Sequence, residues 1–213
     1  MKGIFIAIEG PDGCGKSTQI ANLRSLLEKD KAEIVVTREP GGTPLGEAIR
    51  TLLLTPSKEI SICALSELLL FSAARAQHVE NVIKPAIERG AIVIASRYTA
   101  ATIAYQGYGR KINMPLIETL NQIATGGLQP DLTVIIDIES EIGLMRARNI
   151  DEETPSGEFD RIEAETLEFH RAVRTGYLEF AQKEKNCAVI DGTLSIEAIT
   201  TEIMKRIELI RNK

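Results

Sequence analysis

Five short runs of β-branched and aliphatic residues punctuate the chain, at 4–8, 34–37, 91–95, 132–136 and 188–190. Nearly continuous apolar runs of that length suit strands buried on both faces, as in a parallel sheet; a strand with one wet face would alternate. Between them the apolar spacing becomes helical. Ile20, Leu23 and Leu27 share one face, and Leu65, Leu68 and Leu69 open another. Ile196, Ile199, Ile203, Ile207 and Ile210 predict a closing amphipathic helix. Strands alternating with helices predict a doubly wound α/β domain on a five-stranded parallel sheet. No repeat or linker divides the sequence, so residues 1–213 are expected to form one domain. The one shift in composition is NIDEETPSGEF at 149–159, acidic and broken by Pro155 and Gly157. It predicts a surface loop between two helices, within a mobile lid around 146–161.

Composition narrows the chemistry. Hydrophobic residues make up 44% and charged residues 26% of the 213, the balance of a globular protein. The net charge of -5 excludes the basic excess of a nucleic-acid binder, so an anionic ligand must be held by a few local groups. Cys14, Cys63 and Cys187 are odd in number and far apart, which predicts free thiols in a reducing compartment rather than a disulfide framework or zinc site. Glu9 interrupts the apolar N-terminus, and no stretch approaches the ~20 apolar residues of a membrane span. A cytoplasmic location with no membrane partner is expected.

The strongest chemical signal is Gly10-Pro11-Asp12-Gly13-Cys14-Gly15-Lys16-Ser17, which matches GxxxxGK[ST] between a predicted strand and a predicted helix. The glycines let the backbone curl so that its N–H groups face phosphate oxygens, and the helix N-terminus, with Thr18 in its first turn, adds a positive dipole end. Residues 10–18 are thus the expected ATP site. Lys16 is expected at the β- and γ-phosphates and the Ser17 hydroxyl on Mg²⁺. Asp12 inside such a loop needs a partner, either a substrate hydroxyl or a metal-bound water; otherwise it is a turn carboxylate.

The segments that follow are IEGPDGCGKST, TREPGGTPLGEAIR (37–50), ELLLFSAARAQHV (67–79), SRYTAATIAYQGYGR (96–110) and DRIE (160–163). Together they resemble the thymidylate kinase family over most of the chain. The resemblance implies phosphorylation of dTMP by ATP with Mg²⁺, in dTTP synthesis, strand order 2-3-1-4-5, and a homodimer. It also implies roles for residues at matching positions. Phe71 stacks on the thymine ring and Arg75 hydrogen-bonds its carbonyl; their spacing of four puts both on one helical face. Arg97, at the carboxyl edge of the third strand, grips the acceptor phosphate with help from Arg38. Tyr105 crowds the sugar C2′, with Thr102 and Gln106 near the base. Cys14 stands where some members carry an arginine, so Arg146, Arg148 and Arg161 are the candidates to supply lid charge.

The chain departs from the family pattern at Ser96, where an aspartate is usual and orients a water on the metal. Ala100 and Ala101 replace residues that are often polar, and the lid is more acidic than usual. A serine there still reaches the metal through water but brings no charge. Two rival functions follow: a kinase for another nucleoside monophosphate, and a nucleotide-binding module with little catalysis.

Overall fold

The central strand, β1 (Ile4–Glu9), has neighbours on both sides: Ile6 sits opposite Ile94 of β3 (Ile92–Ser96) and Leu132 of β4 (Leu132–Asp137). In the computed structural model, which describes residues 3–30, 32–151 and 160–211, β2 (Ile34–Arg38) pairs with the far side of β3 and β5 (Cys187–Asp191) with the far side of β4. All pairs are parallel and the order is β2-β3-β1-β4-β5, as the family resemblance implies. All five expected strands shift or extend slightly, and β1, β2 and β4 each gain one residue at the carboxyl end. β3 starts at Ile92 and includes Ser96, and β5 gains a residue at each end, because ladder hydrogen bonds continue past the apolar run.

Side chains of β1 alternate between two cores, which explains why its sequence is apolar without interruption until Glu9. Ile6 and Ile8 pack with Leu23 and Leu27 of α1 (Lys16–Leu27) and with Ile203 and Ile207 of α9 (Ile196–Arg211). Phe5 and Ala7 face the opposite layer, against Val79 and Ile83. Those two lie in a π-helical turn that joins α3 (Ala64–His78) to α4 (Lys84–Glu88). Leu68 of α3 is buried as its spacing predicts, whereas Leu65 and Leu69 are half exposed.

Among the described residues, five further α-helices follow β2, β3 and β4 in the chain. They are α2 (Pro44–Leu54), α5 (Thr99–Thr102) running into a π-helical segment Ile103–Gly109, α6 (Met114–Thr125), α7 (Ser140–Asp151) and α8 (Leu167–Lys183). Thr43 caps α2 by accepting from the Gly46 N–H, and Pro44 takes the first helical position, where a missing N–H costs nothing. Helix α7 runs further than its sequence suggests. Arg146 and Arg148 lie within it rather than after it, and the expected loop at 149–159 is helical through Asp151. Residues 152–159, the greater part of the expected lid loop, lie outside the described residues.

Candidate active site

The turn after β1 is shaped by three glycines with positive φ, Gly10, Gly13 and Gly15, and delivers Lys16 and Ser17 to the start of α1. Gly13 is required for a second reason. A Cβ there would collide with the Gly143 carbonyl of α7, and one on Gly143 would come within 2.5 Å of the Asp12 carbonyl. The loop and the first turn of α7 therefore meet backbone to backbone. The Lys16 ammonium is folded onto its own loop, donating to the carbonyls of Gly10 (3.0 Å) and Pro11 (2.7 Å) and lying 3.5 Å from the buried Cys14 sulfur. Burial, then repulsion from Arg97, push its pKa below the ordinary value. Ser17 and Thr18 are exposed at the helix start.

Asp12 turns away from Lys16 into a polar cluster. One oxygen takes an ion pair from Arg97 Nη2, and the other accepts from the Tyr105 hydroxyl at 2.6 Å. Burial works against its charge, but Arg97 and Lys16 outweigh that and hold its carboxyl below the ordinary range. The Arg97 guanidinium also lies over the Tyr105 ring, 4.9 Å from its centroid.

A cavity of about 140 Å³ opens beside this cluster, walled by Arg50, Phe71, Arg75, Arg97, Thr102 and Tyr105, with Asp12 at its edge. Asp12 thus belongs to both the glycine loop and the cavity. Arg75 is almost wholly buried and held from four directions: by Glu39 (2.7 Å), the Thr102 hydroxyl (2.7 Å), Asn121 (2.8 Å) and the Tyr98 carbonyl (2.8 Å). Gln106 lines the same cavity and donates to Glu67 at 2.8 Å.

The other expected residues stand elsewhere. Arg38 pairs with Glu47 at 2.9 Å and lines a separate opening with Ser17, Thr37 and Ser96. Arg146 donates to the Gly192 carbonyl at 3.0 Å, and the side chain of Arg148 lies outside the described residues. Arg161 binds the Leu53 carbonyl (2.7 Å) and Glu67 (2.6 Å), so it fastens the start of the 160–163 segment to α2 and α3.

Several partners had no clear signal in the sequence. Arg50 lines the cavity and donates to the Pro40 carbonyl at 3.2 Å; its place at the end of the 37–50 motif could have marked it. Glu67, with Arg110, Gln106 and Arg161 converging on it, reads in the sequence only as a helix acid.

Comparison with known proteins places the chain in a family. A family model described as thymidylate kinase matches residues 8–203. The chain is 48% identical over 204 residues to the thymidylate kinase of Pseudomonas putida strain GB-1, covering 95% of this chain and 94% of that protein. It is 44% identical to that of Halothermothrix orenii over 98% of both chains. The crystal structure of thymidylate kinase from Ehrlichia chaffeensis superposes with a TM-score of 0.78 at 34% identity, covering 98% of this chain and all of that one. With the family model spanning most of the chain and relatives of this identity matched along nearly their whole length, the chain belongs to the thymidylate kinase family.

Proposed function

We propose that this chain transfers the γ-phosphoryl group of ATP to dTMP, giving ADP and dTDP for dTTP synthesis. The observation that carries the reading is the Asp12–Arg97 pair, which sits where the glycine loop and the cavity meet. The backbone of residues 10–17 and the start of α1 hold the donor phosphates. Lys16 leaves the Gly10 and Pro11 carbonyls for the moving group, whose charge shifts in the transition state. Arg97 holds the acceptor phosphate in line, so the phosphate oxygen itself is the nucleophile and no protein base is needed. Arg146, Arg148 and Arg161 are the proposed source of further positive charge; Arg161 has to leave Glu67 and Leu53 to supply it.

Base choice follows from donor counting. A guanidinium has five N–H groups, and four of Arg75's are taken by protein acceptors. The one left suits a single carbonyl oxygen, as thymine O4 offers beside the Phe71 ring. Cytosine presents an amine at that position and would leave donor facing donor. Tyr105 stands beside the sugar, with Thr102 and Gln106 completing the wall. Arg38 lies outside this cavity, and Arg50 takes the helping role on the acceptor phosphate.

The donor set fits Mg²⁺ brought in with the nucleotide. Ser17 and Ser96 share one opening, and among the described residues no cluster of three or more His, Cys, Asp or Glu could hold an ion alone. Mg²⁺ keeps several waters and takes phosphate oxygens, so Ser17 would bind it directly and Ser96 through water, and it would neutralise phosphate charge.

The same reading includes a homodimer in the cytoplasm. Leu65 and Leu69 of α3, and Leu116 and Ile123 of α6, which packs against α3, are exposed apolar side chains that a second copy would cover. The free cysteines suit a reducing compartment. Among the described residues no helix is long and apolar enough to cross a membrane. An ADP-release assay with dTMP, dUMP, dCMP, dGMP and no acceptor tests the function. Turnover should be high with dTMP and poor with dCMP and dGMP; comparable rates with either sink the assignment.

A further inference from the structure

Arg97 has a backbone φ of 70°, a left-handed value that few non-glycine residues adopt. Its N–H donates to the Ile8 carbonyl at 3.0 Å, which fixes the turn. Its side chain is held at one end. Nη1 donates to the Gly10 carbonyl (3.1 Å) and to the Tyr177 hydroxyl (2.9 Å), and Nη2 binds Asp12. Both Nη1 donors are thus used, and the Nε–H stands at the other edge of a side chain that lines the cavity.

Tyr177 comes from α8, far along the chain, and is fully buried. Its hydroxyl accepts from Arg97 and passes its own hydrogen to Glu9 Oε2 at 3.1 Å. The Arg97 bond cannot reverse, because a guanidinium only donates; the Glu9 bond keeps its direction while Glu9 is ionised, a state that burial opposes by raising its pKa. Glu9 in turn is fixed by the N–H groups of Tyr98 (2.7 Å) and Ala101 (3.3 Å), at the junction of β3 and α5. Helix α8 comes close enough because residue 176 is glycine; a Cβ there would lie 2.7 Å from Tyr108 and 2.8 Å from the Ala104 Cα.

We infer that Tyr177, backed by Glu9, is a positioning residue for the acceptor phosphate: it locks the Nη1 end of Arg97 so that the Nε edge faces the cavity. The inference rests on the proposed role of Arg97 and adds to it the group that sets its aim. The Tyr177 phenol stays protonated because burial, then the Glu9 charge, raise its pKa well above the ordinary value.

The test compares a ligand with and without its phosphate. Wild type and Tyr177→Phe are titrated calorimetrically with dTMP and with thymidine. A hydrogen bond to a charged group is lost, so dTMP affinity should fall by about 10-fold or more while thymidine affinity stays within about 2-fold. In an Arg97→Ala background the same substitution should change dTMP affinity by less than about 2-fold. If Tyr177→Phe leaves the ratio of the two dissociation constants unchanged, the tyrosine is structural and the inference fails. Glu9→Gln is read by the same ratio, and decides the matter if Tyr177→Phe does not fold. Failure of the underlying reading shows separately, as a wild type that binds thymidine as tightly as dTMP.

Discussion

Arg75 Nε and Glu39 Oε2 lie 2.7 Å apart with both side chains sealed from water, at 2% and 4% exposure. The second Glu39 oxygen meets His78 Nδ1 at 3.0 Å, and His78 Nε2 meets the Thr37 hydroxyl at 2.6 Å. The base-recognising arginine is thus tied through one buried carboxylate to β2. Glu39→Ala would strand a guanidinium out of water, at a cost of about 3–5 kcal/mol. Urea unfolding measures it. A midpoint equal to wild type would mean that Arg75 is neutralised by another group.

Lys16→Ala should lower kcat by about 100-fold or more, because its charge matters most when the phosphoryl group is in flight. Calorimetric dTMP affinity should be unchanged, since Lys16 faces the loop carbonyls and not the cavity. Near-normal turnover would move the reaction away from this loop.

Tyr105 carries two separable features, a ring under Arg97 and a hydroxyl on Asp12. If the ring excludes ribonucleotides, Tyr105→Phe keeps the preference for dTMP over its ribose analogue. Tyr105→Ala should lose about 1–3 kcal/mol of it. The two kcat/KM ratios report this directly. Equal ratios in wild type and Tyr105→Ala would return the ring to simple packing.

Ser96→Asp should lower the Mg²⁺ needed for half-maximal rate, because a carboxylate orients metal waters more strongly than a hydroxyl. The nearby acids are poor substitutes. Both Glu9 oxygens accept from Tyr98, Ala101 and Tyr177, and both Asp12 oxygens are taken by Arg97 and Tyr105. A Mg²⁺ titration at saturating ATP and dTMP decides; a midpoint that stays or rises rules the argument out.

Burial alone would raise the Glu67 carboxyl, but hydrogen bonds from Arg110, Gln106 and Arg161 hold it below its ordinary 4.5. A depressed folded-state value stabilises the fold above pH 4.5 and loses that contribution as pH falls through the folded value. Wild type should therefore exceed Glu67→Gln in thermal stability at pH 7, with the gap closing below pH 4.5. A gap independent of pH would show that the charge of Glu67 is not what fastens Arg161.

What the sequence revealed depended on how far apart the interacting residues are. The glycine loop was legible because residues 10–17 act as one local unit. So were the faces of α1 and α9, where Leu23 and Ile203 each follow a helical period into the core. Strand order came with the family motifs, not from periodicity, since alternation in β1 is masked when both faces are buried. The end of α7 is hidden in the sequence because an acidic stretch reads as loop whether or not its first residues finish a helix. Arg161 reads as lid charge from its neighbours, and its partner Glu67, 94 residues away, leaves no local trace. The Tyr177–Glu9 bond spans 168 residues and has no local trace at all.

The bare contact between Gly13 and Gly143 has a mechanical side. With no side chain between them, neither backbone can absorb a push by changing a rotamer. Any tightening of the loop then bears on the base of α7 as on the short arm of a lever. Gly143 stands near one end of that 12-residue helix and Asp151 at the other, a long arm of roughly 12 Å at ~1.5 Å per residue. A slight tilt at the loop becomes a wider sweep at Asp151, and a single methyl on either glycine would act as a wedge under the fulcrum.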